Sequence, residues 1–341
     1  MRMSKFTTQT GGFTLVELLI AMTLGVFMMA GVLSVFISSK QSYAQQDALG
    51  QMQENARFAL EMLARETRMA GFGGCSSSIN VANTLSAGYV GEATSFSNGL
   101  NGYLGDSTNS TFPASFKSVS EPNTDAIIIH TVNNDGALIV DSHNPNSAII
   151  RFTTSNSTLK KGDIVVMVDA NCSNMAIFAN TGPTNSSNNA NHSNHNDGNI
   201  SGFSYENCVK KKLKGNFTCA DTSAGLELSY TAGSSVYKMD SFAYYIGTSS
   251  ADSSILSLYR QDVSGTSGAS EVVEGVSDLE MFYGLKVGSN VQYLKADGIS
   301  ATNWINVQSV RYNVTVRSLS LINGVPVSKT FSTTVKLRNR G

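Results

Sequence analysis

The sequence of 341 residues is poor in charge, proline and cysteine. Charged residues make up 14% of the chain, well below the usual quarter, whereas Ser, Thr, Asn and Gly are abundant. This balance favours a β-rich exported protein over a cytosolic helical enzyme. The formal net charge of −1 gives no bulk electrostatic reason to expect a nucleic-acid partner.

Recognised catalytic motifs are also missing, since the sequence contains no GxSxG, HExxH, P-loop or dinucleotide fingerprint. We therefore expect neither enzymatic activity nor a cofactor. His192 and His195 are spaced like a helical metal pair, but they lie in the low-complexity stretch 185–199, which is typical of an exposed loop. We therefore expect no metal site.

The four cysteines are Cys75, Cys172, Cys208 and Cys219, and none lies in a CxxC pair, which argues against a zinc ribbon. An even number of cysteines in an exported chain favours two disulfides. Closeness in sequence favours Cys208–Cys219, which leaves Cys75–Cys172. The alternative is four buried free thiols.

One long apolar run stands out near the N-terminus. Residues 18–37 are 20 consecutive uncharged residues, and as a helix they would span about 30 Å, the thickness of a bilayer core. Arg2 and Lys5 precede the run and predict a cytoplasmic N-terminus. An ordinary secretory signal cleaved after Ala44 is the alternative, but such signals have shorter apolar regions and would not contain Glu17.

The residues around Glu17 carry a family resemblance. KFTTQTGGFTLVELLIAM resembles the class III signal of type IV pilins and pseudopilins. The resemblance implies a leader of residues 1–12 that prepilin peptidase removes between Gly12 and Phe13, followed by N-methylation of Phe13. It also implies that Glu17 is the assembly glutamate. A lone carboxylate in a membrane helix costs roughly 2.5–3.5 kcal/mol, and pairing with the Phe13 amine of a neighbouring subunit would offset this cost.

Apolar periodicity continues beyond the membrane run. Leu49, Met52, Ala56, Ala59 and Leu63 follow 3–4–3–4 spacing and predict one buried stripe on a helix. With no proline before Pro113 and with the glycine-rich AGFGGC at 70–75, a single helix over 13–72 is expected, of which 13–37 cross the membrane.

Residues 73–341 predict a head domain made mostly of antiparallel strands. Short apolar runs such as DAIIIHTV (125–132) and DIVVMVD (163–169) are bounded by turn residues. Near the C-terminus two alternating strands flank Asn323-Gly324, which is the signature of a hairpin. The predicted fold class is α+β and pilin-like: a long N-terminal helix, transmembrane and then amphipathic, packed on a large β-rich head.

Further segments resemble the PilW type of minor pilin. They are QENARFALEMLARETRMAGFGGC, DANCSNMAIF, VVEGVSDLEMFYG and FSTTVKLRNR. The second of these supports the Cys75–Cys172 pairing. The resemblance implies a subunit that joins other minor pilins in a complex that primes pilus assembly and caps the tip, in support of motility, adhesion or DNA uptake.

The same resemblance implies partners and a location. The partners would be prepilin peptidase, other minor pilins, the major pilin, the inner-membrane assembly platform and membrane lipid. The protein would cross the inner membrane once, with a periplasmic head, before entering the pilus. The alternative within the class is the large minor pseudopilin of a type II secretion system.

A lysine cluster gives a further alternative. CVKKKLKGNFTC places Lys210, Lys211, Lys212 and Lys214 within the expected loop of the Cys208–Cys219 disulfide. They are a candidate contact for an anion such as DNA or an acidic partner surface, as in a tip adhesin or DNA receptor. A solvated cluster without a ligand is the more ordinary interpretation.

Overall fold

The computed structural model describes residues 12, 14–74, 79–85, 98–133, 136–155, 158–182, 188–193, 207–263, 268–322 and 324–338. Two α-helices are present, α1 over Leu15–Met69 and α2 over Ala114–Lys117, together with 3-10 helices at Ala296–Gly298 and Ala301–Asn306. The remaining regular structure consists of strands, which confirms the expected α+β class.

The long helix α1 follows the predicted stripe. Met52, Ala56, Ala59 and Leu63 are each at most 2% exposed, as their shared face requires. On the exposed side, Arg57 Nε lies 2.9 Å from Glu61 Oε1 and forms an i,i+4 ion pair. The helix ends at Met69, just before the glycine-rich stretch 70–75 that is expected to stop it, and Phe13 lies outside the described residues.

A glycine ends α1 two residues after Met69. Gly71 adopts a φ of 69°, the left-handed conformation that commonly closes a helix. Its N–H donates to the carbonyl of His130 at 2.8 Å. The end of the helix is thereby joined to a strand of the head.

A large sheet contains eleven strands, all but one pair antiparallel. They are β1 (Asn80–Asn83), β2 (Leu100–Tyr103), β3 (Ala126–Val132), β4 (Leu138–Asn144), β5 (Ile149–Phe152), β6 (Ile164–Val168), β7 (Asn174–Ala179), β8 (Asn189–Asn191), β11 (Ser235–Thr248), β12 (Leu256–Asp262) and β13 (Ala269–Glu274). The 14-residue β11 organises this sheet, because its start pairs with β4 and β6 and the rest pairs with β3 and β12. The parallel pair, β1 with β7, departs from the antiparallel expectation.

Two smaller sheets complete the strands. β9 (Lys212–Lys214) pairs with β10 (Leu226–Glu227). The other sheet has the order β15-β14-β16-β17, formed by β14 (Val276–Val287), β15 (Asn290–Leu294), β16 (Val307–Arg317) and β17 (Ser328–Lys336). β16 and β17 are the two alternating strands predicted near the C-terminus.

The second half of α1 packs on this four-stranded sheet. Thr67 Oγ1 lies 2.6 Å from the hydroxyl of Tyr312, and both groups are buried. α1 also contacts the larger sheet, because Asn55 Nδ2 donates to the carbonyl of Glu274, the last residue of β13, at 3.0 Å. The four-stranded sheet is joined to the larger one through Asp125, whose carboxylate accepts the N–H groups of Gly105 and Met281.

The contacts divide the chain into two compact units. One comprises Met1–Gln51 with Ser318–Val327, and the other comprises Met52–Arg317 with Ser328–Gly341. Within the first unit, Ile322 and Val325 exchange backbone hydrogen bonds of 2.8 and 3.2 Å, and Gly324 has a φ of 82°. This is the position at which the sequence predicts a hairpin turn, and Asn323 itself lies outside the described residues.

Candidate functional sites

The first turn of α1 forms a capping box around Glu17. The Thr14 Oγ1 accepts the Glu17 N–H at 3.3 Å, and Glu17 Oε2 accepts the Thr14 N–H, also at 3.3 Å. The Thr14 hydroxyl also donates to Glu17 Oε2 at 3.2 Å. This exchange satisfies donors that a helix start leaves free, and a carboxylate there is favoured by the helix dipole.

Thr14 is a residue that sequence reasoning missed. The signal was present, because Thr-x-x-Glu before an apolar run is the sequence pattern of a capping box. The predicted function of Glu17, pairing with the amine of a cleaved Phe13, stays a prediction. Phe13 lies outside the described residues, and Gly12 is exposed just before the helix.

The apolar half of α1 has no cover in the described structure. Every residue from Thr14 to Ala44 is exposed, including Phe27 at 76% and Met28 at 76%. Among the described residues, α1 is the helix that is long and apolar enough to cross a membrane. Apolar surface of this extent requires lipid or other helices around it. The segment is therefore consistent with a membrane-anchored protein.

The lysine cluster is held in a disulfide-closed loop. Cys208 and Cys219 are bonded, with Cα atoms 5.8 Å apart, which confirms this part of the predicted pairing. Between them Leu213 is fully buried, and its carbonyl accepts the hydroxyl of Tyr230 at 3.1 Å. Phe217 is also buried, so the loop is anchored on both sides of Lys214.

The four lysines are half-buried, which differs from the fully solvated cluster that sequence favoured. Lys212 Nζ donates to the carbonyl of Thr222 at 3.2 Å, so this lysine supports the loop itself. No carboxylate among the described residues forms an ion pair with Lys210, Lys211 or Lys214. These three cations therefore remain a candidate anion contact.

Cys172 is also disulfide-bonded. It follows β6 at a turn, has a φ of 55°, and donates its N–H to the carbonyl of Asp169 at 3.0 Å. Its predicted partner Cys75 lies outside the described residues. The Cys75–Cys172 pairing therefore stays a prediction.

His192 corrects the expectation of an exposed loop over 185–199. It directly follows strand β8 and is completely buried, with its Nε2 2.8 Å from His143 Nε2. His143 Nδ1 accepts the N–H of Tyr230 at 3.0 Å, so the ring proton of neutral His143 resides on Nε2 and is donated to His192. His195 lies outside the described residues.

Burial sets the titration of this histidine pair. It lowers the pKa of His143 to about 4 and that of His192 to about 3, the latter with further lowering by His143 and Lys210. The hydrogen bond fixes a proton between the two Nε2 atoms, where a shared metal would need two free lone pairs. Within the described part of the chain, no group of three or more His, Cys, Asp or Glu side chains is arranged to hold a metal.

Comparison with known protein families gives two matches at opposite ends of the chain. Residues 8–33 match the prokaryotic N-terminal methylation motif. Residues 243–333 match the family described as type IV pilus-assembly protein W. No curated protein and no solved structure matches the chain.

The methylation motif and the helix that it opens define a protein of the type IV pilin class. The second match begins within β11 and ends within β17, so it covers β14, β15 and β16 and the first part of β17, the four strands of the smaller sheet on which α1 packs. Together the two matches support a PilW-type minor pilin. This family is one of pilus assembly proteins and not a known enzyme family.

Proposed function

We propose that this minor pilin joins other minor pilins in a complex that primes type IV pilus assembly and remains at the tip. The observation that carries the proposal is the exposed apolar half of α1, with the carboxylate of Glu17 in its first turn. Such a helix is soluble in lipid before assembly and can pack among parallel helices afterwards. The proposed partners are therefore pilin helices, with the assembly platform and lipid around them.

The size of the head supports a position at the end of the filament. The head spans most of the chain and contains three sheets, whereas each subunit within a shaft must fit between neighbours on all sides. A large head at the tip meets neighbours on one side alone. In the proposed topology the N-terminus is cytoplasmic before processing and the head is periplasmic, where its disulfides can form.

Complementation of a deletion strain tests the proposal against its alternative. Loss of the gene should abolish surface pili and twitching motility, and the wild-type chain should restore both. Secretion of exported enzymes should be unchanged by the deletion. Loss of secretion with normal piliation would instead assign the chain to a type II secretion system.

The processing step has its own measurement. Mass spectrometry of the mature N-terminus should find an N-methylated Phe13 and no residues of the leader. A mature chain that begins at Gln45, as cleavage by an ordinary signal peptidase would give, would overturn the pilin assignment of the helix.

A role as a tip adhesin or DNA receptor is favoured by the three lysines of the disulfide loop that form no ion pair with a described carboxylate. Replacement of Lys210, Lys211 and Lys214 by Gln tests it, with Lys212 kept because it supports the loop. Loss of DNA binding or adhesion with normal pilus numbers would favour the receptor. Unchanged binding would exclude this loop as the receptor site.

A further inference from the structure

A groove runs between the second half of α1 and the edge of the four-stranded sheet. Its volume is about 820 Å³, and residues Arg57, Phe58, Glu61, Arg65, Phe331 and Thr333 are among those that line it. We call it the edge groove. All of these residues belong to one compact unit.

One wall of the edge groove is a strand with a free backbone edge. β17 pairs with β16 on one side, and no described strand pairs with its other side. The N–H of Leu337 donates to the carbonyl of Gln308, and the N–H of Ser318 donates to the carbonyl of Val327. These two bonds show which opposite residues of β16 and β17 are hydrogen-bonded pairs, because such pairs alternate along an antiparallel ladder. Odd-numbered residues of β17 therefore bond to β16.

The even-numbered residues turn their N–H and C=O groups to the free edge. They are Ser328, Thr330, Ser332, Thr334 and Lys336. Nine residues is long for an exposed edge strand, and such an edge is a template for another strand. The structure thus presents five alternate pairing positions along β17, and Ser332 at their centre lines the groove.

The other wall carries apolar surface and positive charge. Phe58 is 54% exposed although it lies beside Phe331 in the groove lining. The side chains of Arg57 and Arg65 are 79% and 75% exposed. Arg68 also lines the groove and is exposed. Glu61 is the acidic residue in the lining and pairs with Arg57, and Arg65 pairs with Glu66, which lies outside the lining. Three arginines therefore stand against two carboxylates on this face of α1.

The dimensions of the groove fit an added strand. A strand residue rises about 3.3 Å, and a strand needs about 4.8 Å of sheet width and about 10 Å between packed layers. Each residue therefore takes roughly 160 Å³, so a volume of 820 Å³ accommodates about five residues. An added strand of that length would lie along five consecutive residues of β17, two or three of which turn their N–H and C=O groups to it.

We propose that the edge groove binds an extended acidic segment of another pilus subunit, which adds to β17 as a further strand. Backbone hydrogen bonds would hold the segment, and its carboxylates would face Arg57, Arg65 and Arg68. The inference rests on the proposed function in taking the partner to be a pilus subunit. A second copy of this chain is disfavoured, because it would bring the same arginines and Lys329 toward one another.

A peptide provides a direct test on the full-length protein in detergent. The probe is a fluorescent nine-residue peptide of alternating Val and Glu, and binding is measured by fluorescence anisotropy. We expect saturable binding that Ser332→Pro weakens at least tenfold, because proline removes an N–H from the free edge and leaves the bonds to β16 intact. Ser332→Ala is the matched control and should bind like the wild type.

Two further arms separate pairing from charge. The same peptide with an N-methyl group on every residue should not bind, because it has no backbone N–H left to donate to the free edge of β17. Arg65→Glu with Arg68→Glu should reject the Glu peptide and accept its Lys counterpart, and this variant leaves β17 unchanged. Absence of wild-type binding, or equal binding by the N-methylated peptide, would overturn the proposal.

Pilus counts in cells distinguish this inference from the proposed function. Ser332→Pro should reduce piliation, whereas Ser332→Ala should not. Normal piliation with Ser332→Pro, together with its loss in the gene deletion, would reject the edge groove and leave the proposed function standing. Normal piliation in the deletion strain as well would reject the proposed function itself.

Discussion

Glu17 combines two properties that are usually considered separately. Its carboxylate caps the first turn of α1 through Thr14, and its charge is the one expected to matter in assembly. A substitution to alanine removes both properties together. The two contributions can be separated by residues that keep one property and remove the other.

We expect Glu17→Ala to insert into the membrane and lose its leader normally, but to fail in assembly. Glu17→Gln should fail as well, because its amide oxygen can still accept the Thr14 N–H but carries no charge. Leaving a buried amine unpaired costs about 3 kcal/mol or more, so piliation should fall by at least ~tenfold. Electron microscopy and immunoblots of the processed chain give the two readouts.

Thr14→Val is the matched variant that weakens the cap and keeps the charge. A lost N-cap costs about 1 kcal/mol, which the long helix tolerates, so piliation should stay near the wild-type level. Normal pili with Glu17→Gln and few with Thr14→Val would show that capping, and not charge, is what assembly requires.

At the level of elements, sequence periodicity predicted the strands whose buried face follows a local apolar pattern. β16 and β17 alternate apolar and polar side chains, so their register and buried face were readable. β8 was missed because Asn189–Asn191 has no apolar period. β8 pairs with β5, and His192 directly after it contacts His143, which lies 49 positions away in sequence. Contacts of this kind leave no local signal, and the free edge of β17 is likewise visible only once the sheet order is known.

The contact between α1 and its sheet can be tested at Tyr312. The Thr67 hydroxyl donates to the carbonyl of Leu63 at 2.6 Å, so the Tyr312 hydroxyl donates to Thr67 Oγ1. Tyr312→Phe should lower the free energy of unfolding by about 1 kcal/mol. Thr67→Val should cost more, about 2 kcal/mol, because it leaves the tyrosine hydroxyl buried without its acceptor.

Urea unfolding of both variants and of the double variant measures this coupling. The double variant should be no less stable than Thr67→Val alone, since the orphaned hydroxyl is then gone. Strictly additive losses would show that the two groups do not interact.

The disulfide loop that carries the lysines should depend on its covalent closure. Cys208→Ser with Cys219→Ser opens a loop with a sequence separation of 11, for which loop entropy gives about 3 kcal/mol. We expect a loss of this size in urea unfolding under oxidising conditions. Reduction should then destabilise this variant less than it destabilises the wild type, and an equal effect would contradict the assignment.

The whole head should lose stability as pH falls. Burial lowers the pKa of His143 to about 4, and those of His130 and His192 to about 3, whereas the unfolded value is near 6.5. Between pH 6.5 and 4 the unfolded chain therefore binds more protons, and the free energy of unfolding decreases on acidification. Each histidine contributes about 2 kcal/mol between pH 7 and 5.

His192→Phe tests how much His192 contributes to the pH dependence of the free energy of unfolding. The variant should be less stable at pH 7, because His143 loses its acceptor, but its stability should change less between pH 7 and 5. Thermal unfolding at several pH values measures the difference in slope. Parallel pH profiles for the two proteins would contradict the neutral buried pair.

The capping box also bears on how freely the subunit can be exchanged. In the unassembled chain the Glu17 carboxylate already accepts hydrogen bonds from Thr14, so it does not wait in lipid as a bare charge. On entry into a filament, the Glu17 carboxylate would exchange its Thr14 donors for the charged amine of a neighbouring subunit. On departure, it would accept hydrogen bonds from Thr14 again. The free energy gained at this residue is smaller for that reason. If the proposed function holds, we expect a subunit held in this way to leave the filament as well as join it, and to return to the membrane intact.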